Sequence, residues 1–453
     1  MTELPTEPPP GARDSAGRRG RGRTVVGALC ALVVLPVSLA VGSPAATANP
    51  GEGPVPQVTG PAVAQGPGPV EPPPPEVPRP DITTAGEPDP APVRPVAVVT
   101  IGDGFLAGEG ARWAGNAQGL RDNGGIPPEL RDATDRTRTP GVAPERIYTS
   151  DCRRSDVLTL GTGTLRHHNI ACSGAGTEAL SRAVRSHEAQ LEQLRKLAAE
   201  YDVRAVVVSI GGDDVRLTDT MKACAEQWRA DRYCSTDPRI TDPAAERVAA
   251  VEEKVVTAVA SVREAVRGTG SAPRVVVQSY PLPLASGEPG VTTVLDENGW
   301  DRWSVAGCPF YNRDLRWLAT DVGGALNTRI RAAARRSGAD FVNVARLLEG
   351  HQVCGAQPLR TAFAADGTIA APAADRAEWA RYVPRTAAEP PADEAREVLH
   401  PNYYGQRALK HCLQEVVARL AAVPGAAPVE AGCRGGAGKA PERIAVTFPP
   451  ASG

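Results

Sequence analysis

The sequence predicts an α/β protein: a three-layer αβα sandwich on a central, parallel, five-stranded sheet, stapled by disulfides. Three observations carry this. Short runs of Val, Ile and Ala stop at glycine or proline, as in Val96–Gly102 and Val203–Gly211; longer stretches with apolar residues at helical spacing alternate with them; and eight cysteines lie in the same region. β-branched runs bounded by breakers read as strands buried on both faces. Strands alternating with helices imply a parallel sheet covered on both sides.

In chain order, residues 1–23 are polar and basic, with Arg18, Arg19, Arg21 and Arg23. Residues 24–41 are apolar and uncharged, and Ala46-Thr47-Ala48 follows as a small-x-small pattern. Basic, apolar, small is the order of a secretory signal peptide. A run of about 18 apolar residues is also long enough for an uncleaved membrane anchor, so the protein is expected to be secreted or membrane-anchored. Cys30 lies early in this run, without a lipobox. Residues 49–94 are proline-rich, with Pro72 to Pro75 unbroken. Such a spacer favours extended polyproline II and buries no core.

From residue 95 to about 424 the pattern is that of one domain, about 330 residues long. Its first strand, Val96–Ile101, runs into Gly102-Asp103-Gly104. A short second strand is expected around Asn169-Ile170-Ala171. The spacing of Leu180, Val184, Leu191, Leu194 and Leu197 predicts a helix over 178–201. A third strand, Val203–Ile210, ends in Gly211-Gly212-Asp213-Asp214. Val248, Val251, Val255, Val259 and Val262 place a helix over 244–266. Val275–Tyr280 is a strand stopped by Pro281, residues 315–337 are a helix, and Asp340–Val344 is the fifth strand. A helix over 403–420 closes the domain. Segments 117–150, 215–243 and 284–308 read as loop insertions, and 425–453 as a tail.

The net charge of −2 and a pI near 6.4 imply no nucleic-acid partner. Aromatics make up 4% of the chain, so Val, Leu, Ile and Ala must form the core. Of nine cysteines, the eight beyond residue 48 are Cys152, Cys172, Cys224, Cys234, Cys308, Cys354, Cys412 and Cys433. An even set behind an export signal reads as disulfides. Zinc is the competing reading, but it needs close pairs such as Cys-x-x-Cys, and the sequence has none. Eight cysteines allow about 105 connectivities.

Gly102-Asp103, Gly108-Glu109 and Arg112-Trp113-Ala114-Gly115-Asn116 resemble the first block of the SGNH (GDSL) hydrolases, in the secreted bacterial esterase and lipase branch. Cys172-Ser173-Gly174-Ala175, Gly211-Gly212-Asp213-Asp214 and Glu397-x-x-His400-Pro401 resemble the later blocks. The resemblance spans Gly102 to Asn402 and implies the flavodoxin-like SGNH fold. It suggests cysteine pairing in sequence order: 152–172, 224–234, 308–354, 412–433. It also implies an ancestral carboxylic-ester hydrolysis by serine, histidine and an acid.

Each part of that chemistry maps to a residue. His400 is the base, and Glu397, three residues earlier, is expected to fold back onto its Nδ1–H. Gly174 is expected to offer its N–H to the oxyanion, with the Ser173 hydroxyl serving the turn. Two positions depart from the pattern. The nucleophilic serine falls on Gly104, where glycine is expected to relieve strain at the elbow. Removing a triad nucleophile costs up to about a millionfold in rate. The oxyanion asparagine falls on Asp213, whose ionised carboxylate has no donor; losing one such donor costs about 2.7–4 kcal/mol. Asp103 reads as a buried turn residue, and a cation held by Asp103, Asp213 and Asp214 is disfavoured. His351, just before Cys354, reads as structural and near the site mouth; His167, His168 and His411 read as solvent or core residues.

The expectation is therefore an exported SGNH-type protein impaired in catalysis. It would act as a binding or accessory module at the cell envelope, with an acylated lipid or glycan as ligand, no cofactor, no metal and a monomeric state. The alternatives are an esterase in which His400, with Glu397, activates water directly, and a structural cell-wall protein.

Overall fold

In the computed structural model the described residues are 93–116, 134–138, 147–304, 306–356, 362–363, 369–370, 373–383, 392–421 and 427–449. The export segment, Cys30 and nearly all of the proline-rich spacer lie outside them. No helix among the described residues is long and apolar enough to cross a membrane.

The five expected strands form: β1 (Val96–Gly102), β2 (Arg166–Asn169), β3 (Asp202–Ser209), β4 (Arg274–Gln278) and β5 (Asp340–Arg346). Ala362–Phe363 (β6) and Ile369–Ala370 (β7) make a small separate hairpin. The sheet has two further strands. β8 (Glu430–Arg434) pairs parallel with β5, and β9 (Ala445–Thr447) pairs antiparallel with β8. The expected tail is thus the edge of the sheet. Its strands are short and mixed in character, and Cys433 fixes them to the last helix by bonding to Cys412.

The order is β2-β1-β3-β4-β5-β8-β9. The chain leaves β1 in one direction and returns on its other side as β3, so the sheet reverses between β1 and β3. In open parallel sheets the crevice at the carboxyl ends of such strands is where ligands sit. Gly102 allows these two strands to approach closely: its φ is +142°, and a Cβ there would fall 1.9 Å from the Ser209 carbonyl oxygen. The central valines, Val98, Val99, Val206, Val207 and Val276, are completely buried. At about 25 cal/mol per Å² of apolar surface, such strands supply much of the drive to fold.

The main helices are α1 (Gly104–Ala107), α2 (Gln190–Glu200), α3 (Leu217–Arg229), α4 (Pro238–Ala265), α5 (Trp300–Ser304), α6 (Asn312–Trp317), α7 (Ala325–Arg336), α8 (Ala392–Glu397) and α9 (Tyr403–Ala421). Helix α4 buries Val248, Val251, Val255, Val259 and Val262, as their spacing requires. Two expected helices are broken. Residues 178–201 hold a 3₁₀ turn at Thr177–Ser181 before α2, with Arg185 in a left-handed conformation between them. Residues 315–337 contain a π-helical stretch, Leu318–Gly324, where the tip of the Leu282 side chain packs on Gly323, 2.5 Å from where a Cβ would stand. The insertion 215–243 carries α3. The four disulfides are Cys152–Cys172, Cys224–Cys234, Cys308–Cys354 and Cys412–Cys433.

Candidate active site

The elbow after β1 is built by its own sequence. Asp103 caps α1 by accepting a hydrogen bond from the Phe105 N–H at 3.1 Å, and Gly108 ends the helix in the left-handed region. The Asp103 carboxyl also accepts from the Tyr280 hydroxyl, which in turn accepts the Gly212 N–H at 2.8 Å. Burial, then the nearby Asp213 charge, raises the Asp103 carboxyl well above its ordinary range, against the Tyr280 and Phe105 hydrogen bonds. Tyr280 is itself clamped through its backbone by the side-chain amide of Asn327. The Phe105 ring packs between Tyr280 and His400, with centroids at 4.9 and 4.6 Å.

Gly104 is the first residue of α1, and its φ is not in the left-handed region. The expected relief of backbone strain is therefore absent; glycine relieves crowding instead. A Cβ on Gly104 would lie 3.0 Å from His400 Nε2 and 2.6 Å from Glu109 Oε2. The imidazole thus faces residue 104, and the Glu109 carboxylate lies against the same point. Glu109 is 2% exposed. Its Oε2 accepts from the Ser173 hydroxyl at 2.6 Å and stands 3.6 Å from His400 Nε2, while its Oε1 is buried without a partner among the described residues. Ser173 accordingly serves the elbow and not its own turn.

The expected Glu397–His400 contact does not form. His400 Nδ1 lies 3.3 Å from the Val398 carbonyl oxygen. A carbonyl can only accept, so Nδ1 carries the proton and Nε2 is the face turned to residue 104. Glu397 instead accepts from Trp113 Nε1 at 2.6 Å, Tyr148 Oη at 2.7 Å and Arg153 at 3.2 Å. The cause is local: α8 ends at Glu397, and Leu399 takes a φ of +62°. That turn directs the carboxylate and the imidazole to different neighbours. Burial raises the Glu397 carboxyl, against the Tyr148 and Trp113 hydrogen bonds.

Gly174 follows β2 with a φ of +80°, and its N–H finds no acceptor among the described residues. Arg396 brings its guanidinium within 3.3 Å of where a Cβ on Gly174 would stand. Asp213 lies at the exposed rim after β3. Desolvation of its carboxylate pushes it up to about 6, with Glu109 and Asp214 adding to the rise and His400 opposing it. Asp214 is spent on Thr177, through its amide and hydroxyl, and on Lys254. With Asp103 also committed, the three aspartates do not converge as a cation site. Asp151, Cys152 and His187 do come together, but the sulfur is bonded to Cys172 and His187 pairs directly with Asp151.

His351 is buried, stacked on Trp379 at 3.8 Å, with its nitrogens 2.8 and 2.9 Å from the Ala377 and Gly436 carbonyl oxygens. His167 is half-buried against Thr100, and burial lowers it to about 4.

Residues 101–408 match the GDSL-like Lipase/Acylhydrolase family. The chain belongs to that family. The α/β fold, mostly parallel sheet and four disulfides that the sequence predicts are present in this chain. Similar solved structures include phospholipase A1 from Streptomyces albidoflavus, at 18% identity over 69% of this chain and 95% of that one, with a TM-score of 0.40. An extracellular lipase from Streptomyces rimosus is 18% identical over 69% and 94%, with a TM-score of 0.38. An aryl esterase from M. smegmatis is 18% identical over 57% and 88%, with a TM-score of 0.26. No curated protein matches the chain.

Within this GDSL-like site, the residue that sequence reasoning missed is Glu109. The motif Gly108-Glu109 was visible, but nothing in it says that the carboxylate folds back over residue 104. Tyr280 was equally hidden; its only signal was a tyrosine at the end of a buried strand.

Proposed function

We propose that this GDSL-like protein acts outside the cytoplasm as a binding or accessory module at the cell envelope, for an acylated lipid or glycan, and no longer hydrolyses it. One observation carries this: the place of the nucleophilic oxygen holds no hydroxyl and is flanked by the Glu109 carboxylate. A buried anion beside the reacting centre opposes the negative charge that develops in acyl transfer. Asp213 adds a second at the rim. Four disulfides favour an oxidising compartment.

Incubating the full chain with a fluorophosphonate probe tests the proposal. No serine should be labelled, and p-nitrophenyl acetate should turn over no faster than in buffer. Labelling at any serine overturns it.

A second reading has its own support. With Nδ1 held by the Val398 carbonyl, Nε2 faces residue 104, which has no side chain, and a water reaching that point would meet a base. Turnover of p-nitrophenyl acetate that disappears in His400→Ala would favour it.

A further inference from the structure

Away from the elbow, five aromatic side chains gather in one cluster: Trp228, Trp303 and Tyr311 are buried, and Trp300 and Tyr233 are exposed at its ends. Trp300, Trp303, Trp228, Tyr311 and Tyr233 form a continuous path of ring contacts, with successive centroids 5.5, 6.1, 6.4 and 4.6 Å apart. Three of the chain's six tryptophans are in it. Five large apolar side chains are exposed among the described residues, and four belong here: Tyr233 at 44%, Val291 at 47%, Trp300 at 55% and Val294 at 92%.

Two hollows of about 400 Å³ each adjoin this path and share Tyr233, Thr293, Val294, Glu297 and Asn312, so they form one trench. Thr292 also lines it; its hydroxyl is buried and has no partner among the described residues. An unpaired buried hydroxyl is costly unless something supplies the missing bond.

The trench is braced. Tyr233 adjoins Cys234, which is bonded to Cys224; Thr293 donates its N–H to the Cys354 carbonyl at 2.8 Å, beside the Cys308–Cys354 bond. Arg302, fully buried, donates to the carbonyls of Leu295 and Phe310 and to Asn312. A rigid surface loses little entropy on binding.

The lining also selects the ligand. Arg313 and Arg316 stand against Glu288, Asp296 and Glu297, so the lining carries one acid in excess and disfavours an anionic partner. Threonine, asparagine and glutamate side chains suit hydroxyl groups, and the exposed Tyr233 ring in the lining suits the flat apolar face of a sugar ring, with Trp300 exposed beyond the hollows. An acyl chain or bilayer would leave those polar groups unpaired. We propose that this trench is a second binding site, taking a neutral polysaccharide chain, and that it works independently of the elbow.

Affinity electrophoresis of the full chain in gels containing hydroxyethyl-cellulose, laminarin or glycol chitin tests this. At least one should retard the protein. Tyr233→Ala should weaken retardation about tenfold, Trp300→Ala several-fold, and Tyr233→Phe should preserve it. His400→Ala should not affect it, which separates this outcome from any at the elbow. Thermal melting checks that each variant is folded; if Tyr233→Ala does not fold, Trp300→Ala and Thr292→Val decide. The proposal is overturned by no retardation in any of the three gels, or by retardation that all folded variants retain. Binding to phosphatidylglycerol vesicles through the same residues, with no polysaccharide binding, also overturns it.

Discussion

The elbow at residues 102–110 stands on β1 and β3, two fully packed strands, and its polar groups are mostly spent on one another: Asp103 on Tyr280, Ser173 on Glu109, Glu397 on Trp113 and Tyr148. The trench hangs on residues 284–316, a segment with little regular structure, yet it keeps exposed rings and an unpaired hydroxyl. One region has a well-ordered scaffold with glycine, and so no hydroxyl, at residue 104. The other has an irregular backbone made rigid by disulfides and a buried arginine. On the function proposed above, a GDSL-like chain loses its reaction without losing its fold, because the sheet and the helix caps do not depend on the nucleophile. New recognition can arise where insertions are already covalently braced.

The largest expected effect would sharpen the contrast at the elbow. If only reacting atoms were lost, Gly104→Ser with Asp213→Asn should restore chemistry. Residue 104 has an ordinary backbone conformation, and the atom nearest a new Cβ is the end of a flexible side chain, Glu109 Oε2 at 2.6 Å. The double variant should be labelled at position 104 by a fluorophosphonate. It should also hydrolyse p-nitrophenyl acetate at least about 100-fold faster than the natural chain. A folded but unreactive variant would show that Glu109 keeps the site closed, and the scaffold would not be intact in the sense claimed.

Most of the scaffold was legible in the sequence, and little of the closure. Val96–Gly102 and α4 announce themselves because burial on two faces, or on one helical stripe, leaves a periodic trace. The turn at Leu399 leaves none: leucine seldom adopts a positive φ, and this one decides that Glu397 and His400 face different neighbours. Glu109 folding back over Gly104 is a contact between side chains that spacing does not encode. Residues 430–447 were misread as a tail because edge strands of five and three residues are too short to show alternation. The aromatic path escaped notice because its members come from four separate segments.

A smaller effect probes the trench. The Cys308–Cys354 bond closes 46 residues and Cys152–Cys172 closes 20. By loop entropy, replacing both cysteines of a pair with serine should cost about 4 kcal/mol for the first and about 3 kcal/mol for the second, read from urea midpoints. The first should also weaken polysaccharide retardation, whereas the second, beside Ser173, should leave it unchanged. Equal losses of retardation in both variants would mean that the trench has no brace of its own.

The smallest effect returns to the rim of the elbow and depends on pH. The Asp213 carboxyl is raised from 3.8 to about 6, chiefly by desolvation and then by the Glu109 charge. A carboxyl with a higher value folded than unfolded binds more protons in the native state between those two values, so its contribution to stability falls as pH rises through that window. Asp213→Asn removes the charge that causes the fall. The variant should melt higher than the natural chain near pH 7.5, and the difference should shrink toward pH 4, where the natural carboxyl is largely protonated. Because residue 213 is accessible to solvent at the rim, screening keeps the difference in melting temperature small. A difference in melting temperature that stays constant across the range would mean that the carboxylate titrates as it does in water. The elbow would then carry one buried anion, Glu109, and no second charge coupled to it.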